Sequence, residues 1–151
     1  MLIGVHPLLS PDLLHALRSM GHRHDIAIVD ANFPCDPDHR RVVRLDGASA
    51  ADVLEAVLTV LPVETEEPAS AWRMIAYDDP AMMLPIFDEF AALVRSHAPD
   101  GVLAAVEPNE FKQRAGASYV VVVTGEQRLY GGVVIRKGVV TAPDTRTDHR
   151  R

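Results

Sequence analysis

Cysteine is nearly absent. Cys35 is the single one in 151 residues, so no internal disulfide can form, and nothing asks for an oxidising compartment. Long apolar runs are missing too: no segment approaches the roughly 20 apolar residues needed to cross a membrane. The opening stretch MLIGVHPLLSPDLL carries neither a basic n-region nor a cleavage site. It reads as no signal peptide, and the cytoplasm is the expected compartment. A basic excess is also lacking. The formal net charge of −6 argues against nucleic acid, whose phosphates want a basic face, and mainly favours solubility. The chain has no internal repeat, no G-x-x-x-x-G-K and no G-x-G-x-x-G after a strand, so the familiar phosphate loops are excluded.

What is present is ordinary globular composition, 48% hydrophobic and 24% charged, on a chain long enough for one domain with a real core. Ser10-Pro11-Asp12 is a helix start: an N-cap serine, a proline at the first helical position and an acid in the first turn. Leu13, Leu14, Leu17 and Met20 follow at helical spacing, and Gly21 fits the residue that stops the helix. DIAIVD reads as a short strand buried at Ile26, Ile28 and Val29, ANFPCDPDHR as a loop, and RVVRL as a second strand. Ser49 caps a helix expected to run to about Leu61, followed by VETEEPAS, an acidic, solvated connection.

AWRMIAY is a third strand. A helix after Pro85 carries Ile86, Phe90, Leu93 and Val94 as its stripe. GVLAAVE is a fourth strand, and PNEFKQRAGA is a helix with Pro108 in its first turn. SYVVVVTGE is a continuous β-branched run, the mark of a strand covered on both faces. GEQRLYGG turns into a last strand, VVIRKGVV. Helices alternating with buried strands predict a single three-layer α/β domain over 1–140, its sheet mostly parallel or mixed with helices on its faces. A polar tail, with His149, is expected over 141–151.

In such sheets the sites are built at strand ends and in the loops beyond them. His22, His24 and Asp25 form one candidate. A histidine there also suits the last carbonyls of a helix. A His-x-His pair with a later carboxylate can bind zinc or iron in principle, but no third histidine follows at close spacing. Asp30 ends an apolar strand. It either caps the turn or accepts hydrogen bonds from a ligand's hydroxyls. Tyr130, followed by Gly131 and Gly132, sets an aromatic ring beside backbone that a ligand can approach closely, although a Gly-Gly pair is also a plain hairpin connection.

Taken together, HPLLSPDLLHALRSMGHRHDIAIVDANFP, VVRLDGASAADVLEAVLTVLP, FKQRA, VVVVTGE and LYGGVVIRKGV resemble the RbsD/FucU family of ribose pyranases and fucose mutarotases, from about residue 2 to 140. The resemblance implies an isomerase that interconverts anomers or ring forms of a free monosaccharide, needing no metal and no organic cofactor. It implies the histidine of MGH, His22, as proton donor and Asp30 as a sugar ligand. Tyr130, Gly131 and Gly132 are implied to line the site. It also implies a homo-oligomer, a dimer or a decameric ring, with sites shared between subunits.

Two positions depart from the family pattern. Gly132 stands where an asparagine is usual, and Pro108 where an arginine or histidine is usual. Glu107, Asn109 and Lys112 are nearby candidates to compensate. These losses leave a second reading open, a non-catalytic sugar-binding protein accessory to carbohydrate transport or catabolism.

Overall fold

The computed structural model describes residues 1–142, so the expected tail lies outside it from residue 143 onward, His149 included. Ten elements follow in the expected order: α1 (Pro11–Ser19), β1 (Asp25–Val29), β2 (Val42–Leu45), α2 (Ala50–Leu58), β3 (Ala71–Met74), α3 (Pro85–His97), β4 (Leu103–Val106), α4 (Pro108–Ala117), β5 (Val120–Thr124) and β6 (Val133–Arg136). The six strands form one sheet in the order β2-β5-β1-β6-β3-β4. Five run parallel, and β6 lies antiparallel between β1 and β3.

Local chemistry sets these elements. The Ser10 hydroxyl accepts from the Leu13 N–H at 3.4 Å and the Ser49 hydroxyl from the Asp52 N–H at 3.1 Å, which starts α1 and α2. Prolines open α1, α3 and α4, where a missing N–H costs nothing. In β5 every residue is buried, because β2 and β1 flank it and helices cover both faces.

Alternation divides the core in two. Ile26, Ile28, Val120, Val122, Val133 and Ile135 pack under α1, α2 and α3. Ala27, Val29, Trp72, Val121, Val123 and Val134 pack with Phe111 and Ala115 of α4. The three layers are therefore unequal, three helices on one face and one on the other. Among the described residues no helix is long and apolar enough to cross a membrane.

Four details differ from the sequence reading. The second helix stops at Leu58, short of Leu61, although Leu61 still bonds back to Val57. The third strand ends at Met74, because Tyr77 and Asp78 turn into the left-handed region at φ 54° and 55°. Phe87 joins the buried face of α3, while Leu93 is only partly buried. After α1 the left-handed residue is Arg23, at φ 66°, and Gly21 is not left-handed. The last carbonyls of α1 are met by Lys137, whose Nζ donates to Leu17 O at 3.1 Å and Met20 O at 2.6 Å.

Candidate active site

All five parallel strands end at one edge of the sheet, and the loops that leave it hold most of the candidate residues. Asp30 follows β1 directly. Its Oδ1 accepts from the Asn32 N–H at 2.9 Å, closing a tight turn, and the Ala31 N–H donates to Glu126 O at 2.9 Å. The carboxyl group is buried. Burial pushes its pKa above the ordinary aspartate value, the Glu126 carboxylate adds to the rise, and backbone N–H groups oppose it.

Glu126 organises the opposite wall. This buried carboxylate accepts from the Ala50 N–H at the start of α2 (3.3 Å), from the Arg128 N–H (3.1 Å) and from Arg128 Nε (2.9 Å). Arg128 holds it below the usual glutamate range. The clamp shapes the loop up to Tyr130, which sits in the left-handed region at φ 58°. The Tyr130 hydroxyl accepts from the Tyr77 N–H at 3.2 Å, and the two rings meet edge to face at 5.1 Å. Having used a lone pair there, the phenol keeps its own proton to give to a ligand.

Space explains both glycines after it. A Cβ on Gly131 would stand 2.7 Å from Glu126 Cγ, and one on Gly132 would stand 2.9 Å from Phe111 Cζ. Phe111 is fully buried and meets Phe33 edge to face at 5.8 Å. Pro108 opens α4 at the same edge, with Glu107, Asn109 and Lys112 all exposed.

His22 is elsewhere. It precedes β1, at the amino edge of the sheet, beside the Lys137 end of β6. Its Nε2 lies 2.5 Å from Oε2 of Glu64. That carboxylate is 3% exposed, against 43% for the histidine side chain. The Glu66 N–H (2.9 Å to Oε1) and His22 together hold Glu64 below its ordinary pKa. An ionised carboxylate can only accept, so the contact fixes the proton on Nε2 and leaves Nδ1 for exchange with a ligand. Around the pair, Arg136 bridges Asp25 (2.8 Å) and Glu67 (2.7 Å), and Arg23 reaches Glu67 at 3.2 Å.

The two histidines of the MGHRH stretch are engaged separately. His24 Nδ1 accepts from the Gly21 N–H at 2.8 Å, and its ring stacks on Tyr119 at 5.0 Å. It closes a turn. The His-x-His pair does not converge, and among the described residues no group of three or more His, Cys, Asp and Glu is placed to hold a metal.

The structure thus gathers Asp30, Tyr130, Gly131 and Gly132 along one edge and leaves His22 at the other. The five residues of β1 separate them, about 16 Å along the strand at 3.3 Å per residue. Three polar or aromatic participants escaped the sequence reading. Glu64 sat in a connection read as acidic and solvated, yet it is buried. Glu126 and Tyr77 sat in a turn and at a strand end, and neither carries a periodic signal.

A scan of family models matches residues 3–140 to the RbsD / FucU transport protein family. The chain is 39% identical over 146 residues to fucose mutarotase of Homo sapiens, covering 91% of this chain and 93% of that protein. Among solved structures it resembles FucU from Bifidobacterium longum, with TM-score 0.85 and 32% identity over 91% of this chain and 99% of the other. It also resembles the fucose mutarotase from Streptococcus pneumoniae in complex with L-fucose, with TM-score 0.82 and 28% identity over 93% and 100% of the two chains.

Proposed function

The chain belongs to the RbsD / FucU transport protein family, and from that premise we propose that it interconverts the anomers or ring forms of a free monosaccharide, fucose-like or ribose-like, by general acid–base catalysis. The observation that carries the reading is the carboxyl-edge wall. A buried aspartate and a tyrosine with a free phenolic proton stand there, and the two glycines after the tyrosine are buried, packed against Glu126 and Phe111 rather than open to a ligand as the sequence suggested.

Opening a cyclic hemiacetal requires a proton delivered to the ring oxygen and a proton taken from the anomeric hydroxyl. The C1–C2 bond then turns and the ring closes on the other face, or through another hydroxyl. Every atom stays on the sugar, so proton transfer is the only chemistry the protein must supply. Imidazole suits it, because its unperturbed pKa of about 6.5 lies near neutral pH. His22 is the proposed proton donor, with Glu64 behind it to fix the ring and balance the imidazolium. Asp30 is the proposed sugar ligand, accepting charge-assisted hydrogen bonds from hydroxyls. Tyr130 offers a ring face to the sugar's C–H groups and a hydroxyl to one of its oxygens.

Since β1 holds His22 and Asp30 of one chain apart, the proposal takes the histidine from a second copy. A homo-oligomer, dimer or closed ring, would set the amino edge of one chain against the carboxyl edge of its neighbour. The missing asparagine and arginine or histidine at Gly132 and Pro108 bear on which sugar fits, because the chemistry runs through His22 and Asp30.

Proton NMR at anomeric equilibrium tests the reading. Saturating one anomeric signal should transfer to the other faster when protein is added to a fucose-like or ribose-like sugar. If no common aldose exchanges faster, the enzyme reading falls. A sugar that binds by calorimetry without any rate effect would leave the non-catalytic binding protein in its place.

A further inference from the structure

Arg73 is a buried cation that the mutarotase reading does not use. It lies in β3, 6% exposed, on the face covered by α3. Its guanidinium stacks over the Phe87 ring at 4.0 Å. Nη1 donates to Met74 O at 3.0 Å, and Nη2 donates to the Met83 thioether at 3.3 Å. Among the described residues no carboxylate comes within ion-pair distance of it. Burial pulls its pKa down, and the more distant Asp88 only partly opposes that.

A carbonyl, a thioether and a ring face satisfy two of the five N–H donors of a guanidinium and neutralise none of its charge. The rest of the group borders a pocket of about 290 Å³ between α3 and the start of β4. Met83, Phe87, Gly101 and Leu103 line it, and so does a second arginine, the exposed Arg95. No acid lines the pocket. Two arginines and no acid on the border of one small concavity suit a tetrahedral oxyanion, since a guanidinium fork matches two oxygens.

We propose that this pocket binds phosphate, free or as the ester of a small organic molecule, between Arg73 and Arg95. The proposal stands apart from the mutarotase reading, which uses none of the residues that line the pocket. Its volume is at the low end for ligand pockets, so the organic part of an ester must be small or reach into solvent.

The test is ³¹P NMR and calorimetric titration at fixed ionic strength, with inorganic phosphate and, separately, ribose 5-phosphate. Wild-type protein should give a saturable response to at least one of them. Arg95→Ala should weaken it at least tenfold, and Arg73→Met should abolish it. Tighter binding of the sugar phosphate that Arg95→Ala weakens would assign the ester, and equal binding of the two probes, both weakened by Arg95→Ala, would assign free phosphate. Arg95 is an exposed helical position, so its variant decides the matter even if Arg73→Met fails to fold. Phosphate that acts equally on wild type and Arg95→Ala overturns the proposal. So does a protein that responds to neither probe, whatever Arg95→Ala does to its oligomeric state.

Discussion

His22 and Asp30 sit at opposite ends of the same strand, one anchored to Glu64 at the amino edge, the other buried in the turn at the carboxyl edge. β1 is central in the sheet, between β5 and β6, so neither end can swing toward the other without breaking the sheet. A site that uses the proposed proton donor and the proposed sugar ligand together, as we propose, would have to take them from two chains.

Asp30 is ionised at a cost to stability. Its folded-state pKa is raised by burial, so folding disfavours the ionised form. The cost is complete above the folded pKa and vanishes below the ordinary value of 3.8. Asp30→Asn keeps an oxygen for the Asn32 N–H and removes the charge. It should raise the denaturant midpoint at pH 7, with the gain shrinking as pH falls toward 3.8. Sugar turnover should drop by roughly ten- to a hundredfold, the worth of a charge-assisted hydrogen bond. An unchanged or lowered midpoint at neutral pH would show that the carboxylate is not buried at a cost.

Glu64 has the opposite sign. Its folded-state pKa is lowered by the Glu66 N–H and by His22, so it stabilises the fold above its ordinary value of 4.5, and that share is lost as pH falls through the lowered pKa. Wild type and Glu64→Gln should differ in denaturant midpoint at pH 7 and converge in strong acid. The same variant should slow anomer exchange by roughly a hundredfold, because a ring released from its anchor is misplaced for proton transfer, while sugar affinity stays within about twofold. A variant with normal exchange would reduce Glu64 to a structural role.

Gly132 answers to packing. A methyl group there meets Phe111, a buried ring held edge-on by Phe33. Gly132→Ala should cost about 1–3 kcal/mol in chemical denaturation, the usual penalty of overpacking. A neutral substitution would mean that the Phe111 ring yields freely.

Much of the fold was legible because local chemistry dictates it. Prolines at the first helical positions, the capping serines Ser10 and Ser49, and the valine run of β5 each have one comfortable solution. The residues lining the carboxyl edge, Asp30 and Tyr130 to Gly132, were legible as loop positions after strands. Long-range placement was not. Glu64 looks like any acid in VETEEPAS until the Val63 bridge to Lys137 and the Glu64 N–H bond to Arg136 carry it under His22. Arg73 hides inside AWRMIAY because alternation does not say which face a lone cation will occupy, or whether anything waits there to neutralise it. His22 and Asp30 are near in sequence and look like neighbours. The strand between them is what keeps them apart.

Mixing two inactive variants tests the shared site most directly. His22→Ala alone should lower anomer exchange by about 10² to 10⁴, the range of general acid–base catalysis, and Asp30→Asn alone should also be deficient. The two are unfolded and refolded together in equal amounts, so that copies assort at random. A site needing the histidine of one chain and the aspartate of another then finds both in about a quarter of cases. The expected result is exchange restored to about a quarter of the wild-type rate, above either variant alone. A mixture that stays at the mean of the two variants, from material shown to be co-assembled, would contradict a site built from His22 and Asp30 of different chains.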